Sequence, residues 1–317
     1  MLIKANPERT RVFILFGAII VIFIIQAVIR PGSVSFIQAM NTSRQAATLG
    51  LVVIGQALVI LSGGIDLSVG ASLTLANVVS VSLMNGQDDM FFPAIIITLL
   101  LTSFVGFVNG ILTVKLRIAP FIATLCTLSI VEGSYLIYTG GAPRGSANAL
   151  MRMLGTGFLF DLIPYVAFVW LVVALSMLIV LKYTTFGRKV YTVGTNAEVA
   201  RLCGISVGSI RIIAYVLSGF FAGIAGLFMS GYIGTSSLGI GADYVNNTLT
   251  CVLIGGNAIA GGKGGILGIV LASFLVMLLF ALLTMLNLGH AGRLVVQGSI
   301  IFIIMASNSL GSLIKKK

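Results

Sequence analysis

Apolar residues run along this chain in long unbroken stretches, without the narrow stripes of a half-buried soluble helix or the alternation of a half-buried strand. Val12–Ile29, Phe91–Val114 and Gly264–Leu286 approach or exceed the ~18–20 residues that cross a bilayer's hydrocarbon. Splitting the chain at glycines, prolines and charge clusters gives about ten apolar segments: 12–29, 44–61, 66–84, 91–114, 118–139, 164–181, 210–232, 244–259, 264–287 and 292–311. Backbone groups in lipid must be satisfied internally, and runs without alternation exclude a closed barrel, so the segments are expected to be helices. The expected fold is all-α: one polytopic transmembrane domain over residues 1–317, with about ten membrane helices. Short or glycine-interrupted segments would be broken or re-entrant.

Composition agrees with this pattern. Of 317 residues, 58% are hydrophobic and 9% charged, against roughly 25% charged in a soluble globular domain. A soluble domain, a disordered chain and a collagen-like rod are excluded. The net charge of +11 would suggest nucleic acid in a soluble protein, but here the positive-inside rule accounts for it. With the N-terminus cytoplasmic, the parity of ten crossings places fourteen basic residues inside: Lys4, Arg9, Arg11, Lys115, Arg117, Lys182, Arg188, Lys189, Arg201, Arg211, Lys263 and Lys315–Lys317. Five fall outside: Arg30, Arg44, Arg144, Arg152 and Arg293. Both termini are therefore expected in the cytoplasm. Lys4, Arg9 and Arg11 precede an apolar run that leads into Arg30-Pro31-Gly32 and lacks an Ala-x-Ala site, so it reads as an uncleaved first membrane helix. Two connections exceed a tight helical hairpin: the extracytoplasmic loop 140–163 and the cytoplasmic segment 182–209. These are where partners would dock.

Chemistry is sparse. Gly255–Gly264 approaches a phosphate-cradling loop but has Asn257 where the first glycine belongs and Gly264 in place of the hydroxyl residue, so the chain is not expected to bind ATP. His290, between Gly289 and Gly292, has no second histidine at a zinc spacing and reads as a solvated or helix-capping imidazole. Cys126, Cys203 and Cys251 are too far apart for a CxxC pair and read as buried small thiols. No catalytic set assembles, and no metal or cofactor is expected.

Ionisable groups inside apolar segments are costly and mark candidate sites. Asp66 lies between two hydrophobic runs in Leu61-Ser62-Gly63-Gly64-Ile65-Asp66-Leu67-Ser68-Val69-Gly70. Gly63 and Gly64 can break a helix and Asp66 or Ser68 can cap the next one; contact with a solute and a gating role stay open. Glu132, about two turns from the outer end of its segment, reads equally as a pathway-lining or as a structurally bonded carboxylate. Gly106-Phe107-Val108-Asn109-Gly110 and Gly219-Phe220-Phe221-Ala222-Gly223 are GxxxG patterns that signify tight helix packing. Gly63-Gly64-Ile65-Asp66 is faintly echoed by Gly239-Ile240-Gly241-Ala242-Asp243 on the opposite side of the membrane, as an inverted repeat requires.

The sequence from Ser62 to Gly70 closely resembles the hallmark of the membrane-spanning permease subunits of ribose-type sugar importers of the ATP-binding-cassette class. Three further blocks resemble that family in order: Asn109-Gly110 with Ile118–Leu125, Phe186–Ile205, and Ile254-Gly255-Gly256 with Gly261–Gly264. The resemblance implies a bacterial inner-membrane subunit that performs no chemistry itself. Its partners would be a second permease copy or homologue, two cytoplasmic ATP-binding subunits that bind the nucleotide and magnesium, and an extracytoplasmic solute-binding protein. In this reading Asn196, Ala197, Glu198, Ala200, Arg201, Leu202, Gly204 and Ile205 form a short surface helix seated in a groove of the ATPase, with a solvated linker as the plain alternative. Asp66, Ser68, Asn109, Glu132, Asn246 and Asn247 would line the pathway and switch access from one side to the other.

The chain also departs from the family. Glu132-Gly133 stands where relatives usually carry Arg-Gly, and Tyr244 is followed by Val245-Asn246-Asn247 where they usually carry Glu-Leu-Asp. The expected solute is therefore a sugar or sugar-like molecule, with a nucleoside or other solute open. An ion-coupled secondary transporter that uses Asp66 and Glu132 is the rival.

Overall fold

The computed structural model describes the backbone of residues 7–32 and 35–314, and the side chains of 10–32 and 35–303. Lys4, Lys315–Lys317 and the side chain of Arg9 lie outside the described residues. Each of the ten apolar segments is a helix: α1 (Pro7–Ile29), α2 (Phe36–Leu61), α3 (Val69–Met84), α4 (Phe91–Val114), α5 (Pro120–Thr139), α7 (Tyr165–Tyr183), α10 (Val207–Ile233), α11 (Ala242–Ile254), α12 (Ile266–Met285) and α13 (His290–Ile314). Among the described residues seven of them, α1, α2, α4, α5, α7, α10 and α12, are long and apolar enough to cross a membrane. With 16 and 13 residues, α3 and α11 are shorter. The loop that follows α5 holds α6 (Ala149–Thr156) and a hairpin of two-residue strands, β1 (Phe158–Leu159) and β2 (Ile163–Pro164), a small exception to the all-α expectation. The 182–209 segment folds into α8 (Thr185–Thr195) and α9 (Ala197–Leu202).

The two central helices are α2 and α10. From Ala46 to Leu61 α2 is buried without interruption, so it is covered by protein on all sides. By contrast α1 packs mainly on α12 and exposes Phe13, Ile14, Phe16 and Val28, as a lipid-facing helix should. Both GxxxG patterns serve one crossing, between α4 and α10. A Cβ at Gly106 would run into the Tyr215 carbonyl, and one at Gly219 into the Thr102 carbonyl. Cys251 is buried as expected, but Cys126 and Cys203 are exposed: one lies on a partly covered helix and the other follows α9 at the surface. Apolar thiols need no partner where they meet lipid or the edge of a turn.

Neither α3 nor α11 starts at an end of the bundle. Arg211, near the start of α10, donates from Nε to the Ser62 carbonyl (3.1 Å), whereas Ser218, two turns further along α10, donates to Asp66 Oδ2 (2.8 Å). The Ser62–Ser68 connection therefore dips ~10 Å along α10 before α3 begins. The second break mirrors it. After Gly234, whose φ of +83° ends α10 in the left-handed region, the chain runs back alongside α3. Asn77 grips it there: Nδ2 donates to Ser230 Oγ (3.1 Å) and the Thr235 carbonyl (3.3 Å), and Oδ1 accepts from Ser237 N (2.7 Å). Gly241 N then donates to Thr74 Oγ1 (3.0 Å), and Gly70 and Gly241 pack backbone to backbone. The N-terminal ends of α3 and α11 thus converge inside the bundle, so the echo between their sequences marks two matching helix breaks.

Substituting Gly219 by alanine should destabilise the chain by about 1–3 kcal/mol, the usual cost of overpacking. Gly133→Ala, where an added Cβ meets nothing within 4 Å, should leave stability unchanged or raised. Unfolding in mixed micelles distinguishes the two.

Candidate functional site

Three clusters of polar residues lie along the bundle. The first is the break before α3. Asp66 is buried; its Oδ1 accepts from Ser68 N (2.9 Å) and Ser68 Oγ (2.7 Å), and its Oδ2 from Ser218 Oγ. Asn109 Nδ2 donates to the Ser68 hydroxyl (2.8 Å), while its Oδ1 is buried without a partner. The carbonyl of Ile65 accepts from Tyr215 OH (3.2 Å) and faces Thr124 Oγ1 (3.5 Å). Asp66, Ser68 and Asn109 are thus brought together. The carboxylate supports the first turn of α3, whose free amides carry the positive end of the helix dipole.

The second cluster lines a cavity of about 290 Å³ at the other end, near the lower limit of roughly 300–1,000 Å³ for small-molecule sites. Asn247 lies in its wall and accepts from Gln297 Nε2 (2.8 Å), which also reaches Thr250 Oγ1 (3.2 Å). Sequence reasoning missed most of the remaining wall. Asp243 Oδ1 stands 3.8 Å from His290 Nε2, beside Arg293 and Tyr232. Arg44 enters from α2, donates to the Thr156 carbonyl (2.6 Å) and packs over the rings of Phe158 and Tyr232. The Nε atoms of Arg44 and Arg293 are buried without a partner. His290 is exposed, as expected of a solvated imidazole, and as the first residue of α13 it also borders the cavity; only the echo at Gly239–Asp243 pointed to this wall.

Asn246 is exposed on the neighbouring face of α11. Glu132 lies on α5, half-buried, with no hydrogen bond or ion pair to a described residue, and it shares no partner with Asp66. The six pathway candidates therefore divide among separate places.

The third cluster is the surface helix α9. Asn196 Oδ1 caps it by accepting from Glu198 N (2.9 Å) and Val199 N (3.1 Å). Gly204, at φ +74°, closes it, with Ile205 N returning to the Ala200 carbonyl (2.9 Å). Ala200 is buried and Ala197 and Ile205 pack on the core, while Glu198, Val199, Arg201 and Leu202 point outward; Leu202 is 84% exposed. The preceding α8 ties this helix to the rest of the end. Gly194 packs against the Leu61 carbonyl and Gly262 N, Gly262 N donates to that carbonyl (3.0 Å), and Tyr191 OH donates to the Gly264 carbonyl (2.9 Å). Arg11 Nη1 holds the same loop through the Gly256 carbonyl (2.7 Å), and Asn257 Oδ1 accepts from Gly265 N (2.8 Å). The glycine-rich stretch that fails as a phosphate loop is a packing knot between α2, α8 and α12.

The family described as branched-chain amino acid transport system / permease component matches residues 38–305. The chain is 30% identical over 302 residues to the ribose import permease protein RbsC of Haemophilus influenzae, covering 94% of this chain and 93% of that protein. It is 32% identical over 291 residues to RbsC of Bacillus subtilis, with 91% and 89% covered. With the galactose/methyl galactoside import permease protein MglC of Escherichia coli strain K12 it shares 27% identity over 315 residues, 93% and 94% of the two chains. No solved structure matches it.

Removing the Asp66 carboxylate should loosen the first cluster most. Asp66→Ala loses three hydrogen bonds and should cost about 2–4 kcal/mol, at roughly 1 kcal/mol or more for each. Asp66→Asn keeps one acceptor oxygen for Ser68 and should cost less. Unfolding midpoints of the two variants in one detergent check the order.

Proposed function

Since the chain belongs to the branched-chain amino acid transport system / permease component family, we propose that it is the membrane-spanning subunit of an ATP-binding-cassette importer for a sugar-like solute. It is a multi-pass transport subunit and not an enzyme; hydrolysis of ATP takes place on separate partner subunits. The observation that carries the reading is the joining of α9 to the helix break. An exposed apolar and charged face, Glu198, Val199, Arg201 and Leu202, sits on α8, and Gly194 of α8 packs on the last carbonyl of α2 directly before Ser62–Asp66. A push on α9 therefore reaches the start of α3 through a chain of packed backbones.

The partners are a second permease, two ATP-binding subunits at α9 and an extracytoplasmic solute-binding protein at the α6 and hairpin end. The charge count supports cytoplasmic termini in the bacterial inner membrane. Arg11, Arg211 and Lys263 gather with α8 and α9 at one end, while Arg44, Arg144 and Arg152 gather at the other, where Arg44 reaches Thr156 and Arg152 reaches Gly234. All ten apolar helices then belong to the membrane domain, with α3 and α11 as half-length arms that meet inside it. Solute passes by alternating access, and Asp66, Ser68 and Asn109 hold the element that moves. At the outer end Asp243, Asn247, His290, Arg293 and Gln297 form a wall of donors and acceptors that suits hydroxyl groups. The relatives' ribose and galactose point to the same solute class.

Proteoliposomes holding this chain, its ATPase subunits and its binding protein should take up a monosaccharide only with ATP inside. Uptake by the chain alone under an ion gradient would overturn the assignment. Leu202→Asp should abolish uptake and release the ATPase subunits, whereas Asn247→Leu should leave the complex intact and raise the apparent KM for solute about tenfold, the cost of an unpaired polar contact.

A further inference from the structure

A second cavity, of about 320 Å³, opens between α9, the α4–α5 corner and the Ser62–Ser68 break. Gly63, Gly64 and Tyr215 line it together with Arg117, Arg201 and Arg211, and its lining holds no Asp or Glu. Arg211 is anchored by its Nε–Ser62 bond, and its terminal amino groups have no hydrogen-bond partner among the described residues. Arg117, held at φ +56° between α4 and α5, makes no hydrogen bond or ion pair with a described residue. Arg201 has Glu198 at 3.9 Å, but both side chains are more than half exposed, and such a pair contributes little. Three guanidinium groups thus share one concave wall without a buried counter-charge.

Around the same corner the surface is apolar. Leu116, Phe121 and Ile122 are 63%, 56% and 55% exposed, although they flank Arg117 and the first turn of α5. A ligand that satisfies both surfaces carries an anionic head for the arginines and hydrocarbon for the rim. Guanidinium groups match a phosphate through paired N–H donors, and basic pockets between membrane helices take phospholipid headgroups.

We propose that this cavity binds the phosphate headgroup of an anionic phospholipid, whose acyl chains lie along Leu116, Phe121 and Ile122. The site requires neither a particular solute nor a particular direction of transport. A lipid seated there touches Gly63 and Gly64 from below, so its occupancy stiffens the break that precedes α3.

The test is native mass spectrometry of the full chain released from membranes that hold phosphatidylglycerol and phosphatidylcholine of equal chain length in equal amounts. The chain should retain phosphatidylglycerol preferentially. Arg117→Gln and Arg201→Gln should each lower that preference about fivefold, the contribution of one arginine near a membrane surface. Arg117→Lys should restore most of it, and Arg188→Gln, outside the cavity on α8, should leave it unchanged. Arg211 is left in place because it also holds Ser62, and equal melting temperatures for the variants show that the fold is intact. An excess of inorganic phosphate should not displace the lipid; displacement would assign the site to a free anion and overturn the proposal. So would unchanged phosphatidylglycerol preference in both glutamine variants, including the case in which those variants instead lose the ATPase subunits, which would assign the cavity to a carboxylate of that partner.

Discussion

A helix that stops inside a bilayer leaves amide and carbonyl groups where no lipid can bond them, and everything else in this molecule follows from how that deficit is met. At the first break one carboxylate does most of it. Asp66 holds the Ser68 amide and hydroxyl on one oxygen and Ser218 on the other, and Tyr215 covers the Ile65 carbonyl. Because Ser218 and Tyr215 belong to α10, the break is fastened to the central helix and not to the lipid side. At the second break an amide side chain, Asn77, plays the matching part from α3. Thus α10 secures the break before α3, and α3 in turn secures the break after α10.

This reciprocity explains why the bundle packs so closely around its centre. The carbonyls of Tyr215 and Thr102 face glycines across the α4–α10 crossing, which leaves room for helix backbones to touch but not for side chains between them. A packed core of this kind does not deform smoothly; it moves by switching between discrete arrangements. The places free to switch are the joints, and the joint at Ser62–Asp66 is the one that α8 and the Gly255–Gly264 loop reach from the surface. The exposed face of α9 and the buried break at Asp66 are therefore joined by one line of packed backbone.

Much of this was legible in the sequence. Segment boundaries were readable because lipid imposes length and apolarity, so all ten segments appear as helices within a few residues, apart from the early start of α2 at Phe36, where Gln38, Asn41 and Arg44 interrupt the apolar run. The break at Asp66 was readable because a lone acid between glycines has few other uses; its carboxylate bonds the Ser68 amide and hydroxyl just ahead of α3. The division between spanning and half-length helices was only partly so: the polar residues of α11 set it apart from α10 and α12, but α3 is an apolar run like the spanning helices, and hydrogen bonds from residues about 150 positions away are what show where each break lies. The cavity walled by Asp243 and His290 was hidden for a related reason. Arg44, Asp243, His290 and Arg293 come from α2, α11 and α13, and in the sequence each looks like a loop-end charge. Glu132 shows the reverse: its sequence context marked it out, yet it stands apart from the other candidates because α5 touches α3 through Val131 and Tyr135 instead.

The Asn77 clamp also has a bearing on how the protein is born. When α3 leaves the ribosome, Ser230, Thr235 and Ser237 are still some 153–160 residues from being made, and Asp66 waits 152 residues for Ser218. At about 5–20 residues per second that interval is roughly 8–30 s. For that time the amide of Asn77 has no native partner and the carboxylate of Asp66 has only Ser68, so the α2–α3 hairpin cannot be released into lipid as a finished unit. Insertion of this chain is therefore not a simple sequence of helices delivered one by one; its first third becomes a membrane structure only after its last third has arrived.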